Sequence, residues 1–223
     1  MFLVFYNDIK NIPVSDYLLK KEIEIYRKKS FLKKKDWIAG RFIVKSAISS
    51  YFFGKFKKRI DFKDIEIVSQ KFKKPVCRIN SIKNEKIDLR ISHCDGFAIA
   101  DASEKKIDFS IGIDIQKIRN FSYNTTMSFL SEKELAWLKK IKPEKRAMAE
   151  TLFWSLKESY LKAKGTGLVY HPKFVEFNID FKKKSGKIYD KGVEKSAKIK
   201  WSIFLKKYVI TRVEVIKINR IKI

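Results

Sequence analysis

The sequence predicts an α+β fold built from two similar halves. Strand-length apolar segments and helix-length amphipathic segments follow one another along the 223 residues, and this succession occurs twice. The helical segments 42–48 and 154–160 place a lysine, Lys45 and Lys157, at matching positions 112 residues apart. A 45% hydrophobic content supplies a core and excludes a disordered or collagen-like chain. We expect the two halves to be residues 1–106 and 107–223.

In the first half, a strand precedes two helices and a group of strands. Asp36 is a suitable N-cap for the second helix, and Gly54 is suited to end it. Asp95 and Gly96 lie between two alternating segments and predict a hairpin turn. The predicted elements are the strand 1–6, the helices 16–29 and 37–53, an interrupted strand over 65–76, and the hairpin strands 88–94 and 97–100.

The second half repeats this arrangement and ends in strands. Ser131 and Pro143 mark the starts of two helices, and Gly165 marks the end of the second one. The lysines of 182–184, followed by Ser185 and Gly186, predict a hairpin turn. The predicted elements are the strand 107–115, the helices 132–141 and 144–164, and the strands 174–181, 198–205 and 208–216.

The chain is strongly basic, with 51 Lys and Arg against 25 Asp and Glu and a net charge of +26. Such a charge attracts nucleic acid, an anionic membrane surface, a phosphate-rich ligand or an acidic protein. The alternative is compositional, because most of the excess is scattered lysine. Two cysteines exclude a disulfide-stapled secreted scaffold, and two histidines argue against a zinc site.

The sequence predicts neither a membrane span nor a signal peptide. No stretch of about 18 apolar residues predicts a membrane span. The apolar segment 1–6 is too short for a signal peptide and lacks a preceding basic region. We therefore expect a cytoplasmic protein with no membrane partner.

Glu158 stands opposite the apolar stripe of the predicted helix 144–164. Its neighbours on that far side include Trp154 and Leu161, so this face is partly apolar as well. A helix of this kind is covered on both sides, which places Glu158 in a cleft or an interface. The alternative is an ordinary surface pair with Lys162, one turn later, worth about 0.3 kcal/mol.

Asp114 lies in the middle of a predicted strand, where aspartate is disfavoured. Gly112, two residues earlier on the same face, leaves room for another group to approach. An acid on a strand and an acid on a half-buried helix suit Mg²⁺, which usually takes one or two carboxylates together with water and substrate phosphates. Asp114 and Glu158 are therefore candidate metal ligands, and a phosphate substrate agrees with the basic composition.

These residues belong to an ordered set of motifs that resembles 4′-phosphopantetheinyl transferases, most closely the long, Sfp-type members. The set extends over residues 39–170, and each motif alone is loose. The matching segments are 39–45, Phe72-Lys73-Lys74-Pro75, Ile91-Ser92-His93-Cys94, Gly112-Ile113-Asp114-Ile115-Gln116, 129–134 and 153–162. Lys73 replaces a glycine of the family pattern. Gln116 stands where Sfp-type members usually carry a third metal-binding carboxylate, which implies a two-carboxylate centre.

The resemblance implies two α+β halves with the active site in the cleft between them. The implied reaction moves 4′-phosphopantetheine from coenzyme A to a serine of an acyl or peptidyl carrier protein, releases 3′,5′-ADP and depends on Mg²⁺. Asp114 and Glu158, with Gln116 nearby, would hold the metal. Glu158 would take the serine proton, and Lys162 or Lys157 would offset charge on the pyrophosphate.

The resemblance also implies binding residues in the first half. Those implied for the adenosine end of coenzyme A and its 3′-phosphate are Lys45, Arg41, Lys74, Ser92 and His93. The expected protein partner is an acidic carrier, and the enzyme is expected to be a monomer. Two alternatives stay open: a basic nucleic-acid-binding protein, for which no recognition motif is found, and a catalytically weakened carrier-protein binder.

Overall fold

A computed structural model describes residues 1–68, 74–80 and 87–216. The chain forms two units, Met1–Lys105 and Lys106–Ile223, and this division lies one residue from the expected one. Helices and antiparallel sheets occur in both units, so the α+β prediction is confirmed. No helix in the described part of the chain is long and apolar enough to cross a membrane.

The N-terminal unit is a three-stranded antiparallel sheet, in the order β1-β5-β4, covered by the long helix α3. Buried alanines on both surfaces, such as Ala47 of the helix and Ala98 and Ala100 of the sheet, permit close packing. A separate hairpin, β2-β3, follows α3. The elements are β1 (Phe2–Phe5), α1 (Tyr6–Ile9), α2 (Lys20–Arg27), α3 (Phe31–Phe56), β2 (Ile65–Val68), β3 (Val76–Ile79), β4 (Ile87–Cys94) and β5 (Phe97–Glu104).

The C-terminal unit has the same construction. Its sheet, in the order β10-β11-β6, is covered by the long helix α6, and a second antiparallel sheet, β7-β8-β9, follows that helix. The elements are β6 (Phe109–Lys117), α4 (Tyr123–Phe129), α5 (Glu132–Leu138), α6 (Pro143–Lys164), β7 (Val175–Asp180), β8 (Ser185–Asp190), β9 (Val193–Lys195), β10 (Ala197–Phe204) and β11 (Tyr208–Ile216).

A buried ion pair recurs at equivalent places in the two units. Lys45 of α3 lies 2.6 Å from Glu22 of α2, and Lys157 of α6 lies 2.8 Å from Glu134 of α5. Both lysines are fully buried, and both pairs have the same 112-residue offset. Each glutamate also accepts a backbone N–H at the start of its own helix and another from the strand after the long helix. The two halves are therefore built on one plan.

The largest correction concerns helix α3. It begins at Phe31, after Ser30, whereas the sequence analysis placed its start after Asp36. The lysines at 33–35 are good helix formers and extend the helix by two turns, so Asp36 lies inside it. Gly54 does not end the helix either, because the chain leaves it at Lys57, in a left-handed conformation (φ 55°).

Other element predictions need smaller changes. The first predicted helix is shorter, since a 3-10 turn at Val14–Asp16 precedes α2. The interrupted strand 65–76 is the hairpin β2-β3, and Phe72 and Lys73 of the proposed motif lie outside the described residues. The sequence analysis did not predict α1, α4, β8 and β9, and the predicted strand 1–6 ends at Phe5, where α1 follows.

Candidate active site

Strand β6 and helix α6 bring three of the predicted site residues together around Asp114. This carboxylate is 1% exposed and lies on the sheet face that α6 covers. Lys162 of α6 donates to its Oδ1 across 2.6 Å, and the Gln116 amide donates to its Oδ2 across 3.0 Å. Lys162 and Gln116 thus each hold one oxygen of the Asp114 carboxylate.

Glu158 lies one helical turn before Lys162 and is half-buried. Burial raises the pKa of its carboxyl, and the nearby charge of Asp114 raises it further, while Lys162 opposes both effects. A carboxyl group of this kind is poised either to take up a proton or to accept a cation. Both are uses that catalytic sites make of a perturbed carboxylate.

The gap left by Gly112 is filled by helix α6 itself. A Cβ at this position would lie 2.7 Å from the Ala163 nitrogen and closer still to the Ser159 carbonyl oxygen. The glycine therefore lets the helix backbone rest on strand β6, and the approaching group is the helix that carries Glu158.

Three buried hydroxyl groups fix α6 on the neighbouring strand. Thr211 of β11 is paired with Asp114 across the sheet. Its hydroxyl lies 2.8 Å from that of Ser155 and 2.7 Å from that of Ser159, and all three residues are fully buried. We call these three residues the hydroxyl seam. Its two serines lie on the side of α6 that contacts β11, and Ser159 directly follows Glu158 in the helix. The sequence analysis did not predict this seam.

The donors present suit a hard cation. Asp114 and Glu158 supply two carboxylates, and Gln116 supplies an amide whose oxygen can replace the nitrogen toward a ligand by a side-chain flip. Burial is the main reason that the pKa of Glu158 is raised, and the charge of Asp114 adds to it; a bound cation would relieve both effects. Among the described residues no group of three or more His, Cys, Asp or Glu side chains forms a candidate metal site, so any metal here would rely on two acids.

Lys157 and Lys45 do not lie where a ligand can reach them. Both side chains are fully buried, and besides their glutamates they donate to main-chain carbonyl oxygens, Lys157 to Pro172 and Val175 and Lys45 to Phe62. The predicted ligand contacts of these two lysines are therefore corrected to a structural role: each joins its long helix to the segment that follows.

Arg41 is also held in the interior of the N-terminal unit. Its side chain is 8% exposed, with Nε 3.5 Å from Glu22 and the guanidinium 4.7 Å from the centre of the Trp37 ring. This arrangement competes with the phosphate contact predicted for it.

The other predicted binding residues of the N-terminal unit lie at the end of β4 and just before β3. His93 is half exposed, 3.5 Å from Asp36, whose pKa is lowered chiefly by hydrogen bonds from His93 and Gly96 against the effect of burial. Ser92 is buried, and Lys74 is partly exposed, 3.3 Å from Asp88. His93 and Lys74 have the exposure that a ligand contact needs.

Comparison with known proteins supports the resemblance for the C-terminal unit. Residues 110–213 match the family model of the 4′-phosphopantetheinyl transferase superfamily, and this segment contains Asp114, Glu158 and Lys162. The 4′-phosphopantetheinyl transferase gsp of Aneurinibacillus migulanus is 30% identical over 82 residues, which are 37% of this chain. The match spans 33% of that relative's length.

Two solved structures are similar over about half of the chain. One is a holo-(acyl-carrier-protein) synthase from Bacillus anthracis in complex with CoA (3′,5′-ADP), at 23% identity, with a TM-score of 0.43 and coverage of 49% of this chain and 96% of that one. The other is the Thermotoga maritima holo-[acyl-carrier-protein] synthase, at 23% identity, with a TM-score of 0.41 and coverage of 49% and 64%.

Proposed function

Because residues 110–213 match the 4′-phosphopantetheinyl transferase superfamily, we propose that this protein transfers 4′-phosphopantetheine from coenzyme A to a serine hydroxyl of an acyl or peptidyl carrier protein. The co-product is 3′,5′-ADP, and the reaction depends on Mg²⁺. The observation that carries the proposal is the convergence of Asp114, Glu158 and Lys162 inside the matching segment.

Glu158 is the group suited to take the serine proton. A general base works best when its pKa is near the working pH, and burial moves the pKa of Glu158 upward, toward that range. The serine oxygen then attacks the phosphorus that carries pantetheine, and the bond from that phosphorus to the bridging oxygen of 3′,5′-ADP breaks. The proton ends on the Glu158 carboxylate.

Lys162 supplies positive charge beside this base. Its ammonium group lies 2.6 Å from Asp114, and its side chain is one-third exposed, so it can offset negative charge on the leaving phosphate. Mg²⁺ held by Asp114 and Glu158, with Gln116 as a neutral oxygen donor, would neutralise the pyrophosphate of coenzyme A.

The remaining parts of the proposal concern binding and context. His93, Lys74 and Ser92 are the residues proposed for the adenosine end of coenzyme A, and Arg41 would have to leave Glu22 to join them. We also propose a monomeric cytoplasmic enzyme with an acidic carrier partner and no specific nucleic-acid partner.

The test is mass spectrometry of an apo carrier protein incubated with the protein, coenzyme A and Mg²⁺. We expect the carrier to gain one phosphopantetheine, and we expect Glu158→Gln and Asp114→Asn to reduce turnover at least a hundredfold, the range of a lost general base or charge clamp. Glu144→Gln, in the exposed first turn of the same helix, is the matched control and should label normally.

Two results would contradict the proposal. An unmodified carrier would remove the transferase assignment, and tight nucleic-acid binding at physiological salt would then favour the alternative function. Near-normal turnover by Glu158→Gln would leave the activity standing but move its site elsewhere.

A further inference from the structure

A groove lined by apolar side chains lies between the start of helix α6 and the sheet β10-β11-β6. Its volume is about 570 Å³, within the range of about 300–1,000 Å³ that is typical of small-molecule sites. The proposed function uses none of its residues. We call this site the apolar groove. The apolar side chains that line it include Ile118, Ile141, Ala147, Met148, Phe181 and Ile203.

The walls of the apolar groove are held in place by the core of the C-terminal unit. The Phe181 ring stacks on that of Trp137, with 5.1 Å between the ring centres, and lies 5.9 Å from the Trp201 ring at a steep angle. The main-chain N–H of Ile118 donates to the carbonyl oxygen of Lys207 across 2.8 Å, which joins the end of β6 to the turn after β10. A groove that is formed before its ligand arrives loses little conformational freedom on binding.

The charged part of the lining is mostly basic. Lys145 of α6 and Lys206 of the turn between β10 and β11 are exposed lysines, and Glu144 is the one acid among the described lining residues. The sequence around the helix start has the same bias, since residues 139–146 contain four lysines and one arginine against one glutamate. The groove therefore complements a ligand that has an apolar part and an anionic group.

Lys206 occupies a position that does not favour a lysine. Leu205 and Lys206 both have positive φ angles, 51° and 56°, and the N–H of Lys207 donates to the carbonyl oxygen of Phe204 to close the turn. Asn and Gly are the usual residues in such a turn, because they adopt this conformation with less strain. The stability of the turn therefore does not account for this lysine, whereas a cation in the lining of an apolar groove has a use in binding.

The lining also limits the kind of ligand. Each of its described side chains is a hydrocarbon, a thioether or a charged group, so none of them is a neutral hydrogen-bonding group. A sugar, a nucleobase or a peptide would lose hydrogen bonds to water on entering, a cost that only new partners could offset. An alkyl chain has no such bonds to lose, and its burial is favourable.

We propose that the apolar groove binds an anionic amphiphile of the fatty-acid class, with the alkyl chain along its apolar side chains and the carboxylate at Lys145 and Lys206. Burial of the chain supplies most of the affinity, since both lysines are exposed and an ion pair in water adds only a few-fold. The site uses no residue that has been placed in the transfer reaction, so this inference does not depend on the proposed function.

Calorimetric titration of the full-length protein with decanoate, without coenzyme A or carrier protein, tests the proposal. We expect saturable binding at a single site, about tenfold tighter than that of octanoate, since each buried methylene contributes up to about fourfold. Decanol, which keeps the chain and lacks the charge, should bind about fivefold more weakly than decanoate. Decanoate that shows no saturable binding, or that binds no better than decanol, would overturn the proposal.

Two variants locate the ligand, each with a control at a matching position in the C-terminal unit. Ile203→Glu should weaken decanoate binding at least tenfold, because it adds a carboxylate to the lining, whereas Ile216→Glu, at 43% exposure against 44% for Ile203, should leave it unchanged. Lys206→Asn should weaken binding about threefold while raising resistance to denaturant, since asparagine suits the turn. Lys184→Asn removes another lysine with a positive φ angle (49°) and should leave binding unchanged. If Ile203→Glu and Lys206→Asn both bound decanoate like wild type, the ligand would lie elsewhere and the groove site would be wrong.

Discussion

At the scale of single residues, the buried carboxyl group of Glu158 suits the proposed function but lowers the stability of the fold. Its folded pKa is raised by burial and by Asp114. The protonated form is therefore favoured in the folded protein, so this group supports stability below its unfolded pKa and loses that support as the pH rises through the folded pKa. At neutral pH an ionised Glu158 opposes folding.

Glu158→Gln should accordingly stabilise the protein at neutral pH, although it removes the proposed activity. The stability gain should shrink as the pH falls toward 4, where the wild-type carboxyl is mostly protonated in both states. Chemical denaturation at pH 7.5 and at pH 4 measures the difference. Glu144→Gln, at an exposed position, should give no gain at either pH, and a less stable Glu158→Gln at pH 7.5 would contradict the account.

Asp114 and Glu158 could be found from the sequence because each breaks a local rule. An aspartate in a strand is conspicuous, and so is a glutamate opposite the apolar stripe of a helix when its neighbours there are apolar as well. Nothing in the sequence indicates that Lys45 and Lys157 are buried, because a lysine looks the same in sequence whether it is exposed or buried. Their glutamate partners lie 23 residues earlier, which no helical periodicity reveals.

At the scale of elements, the position of α6 over its sheet depends on the hydroxyl seam and on Gly112. Thr211→Val keeps the shape of the side chain but leaves the buried hydroxyls of Ser155 and Ser159 short of a partner. This should cost about 1–3 kcal/mol, and it should also reduce turnover, because the helix carries Glu158 and Lys162.

Thr211→Ser is the matched control for this prediction, since it keeps the hydroxyl and loses only a methyl group. Unfolding by denaturant and initial rates of carrier labelling are the measurements. If Thr211→Val were as stable and as active as Thr211→Ser, the seam would not position the helix.

The elements that periodicity and turn chemistry specify were predicted well, among them the hairpin β4-β5 and helix α6. Helix α3 was misjudged at its start because the lysines at 33–35 carry no apolar periodicity, and their helical propensity decides the outcome there. Seam contacts could not be predicted, because Thr211 lies far along the chain from Ser155 and Ser159.

At the scale of the whole molecule, the repeated Glu–Lys pair predicts that loss of the lysine destabilises either unit. Burial lowers the pKa of Lys157 and raises that of Glu134, each opposed by the charge of the other. Lys157→Met leaves a buried carboxylate without its cation and should cost about 3–5 kcal/mol. Lys45→Met should cost less in the N-terminal unit, because the Arg41 guanidinium stays 3.5 Å from Glu22.

The double change of Glu134→Gln with Lys157→Met is the control, because it removes both charges and keeps an acceptor for the backbone. It should recover most of the loss. Unfolding curves followed by fluorescence test all of these variants. A single-lysine variant within 1 kcal/mol of wild type would show that the pair does not hold its unit together.

The repetition of this pair also creates a hazard while the chain is still unfolded. Glu22 has the chemistry to meet Lys157, and Glu134 to meet Lys45, so each half offers the other a false partner, the kind of exchange that traps multidomain chains. Divergence guards against it, because the neighbours of the two lysines have become different. Val44, Ser46 and Ile48 stand in one helix where Leu156, Glu158 and Tyr160 stand in the other. If helix α6 took the place of α3, Lys157 would still meet a glutamate, but its neighbours would not fit the core of the N-terminal unit. Glu158 would then put a carboxylate where that unit has Ser46.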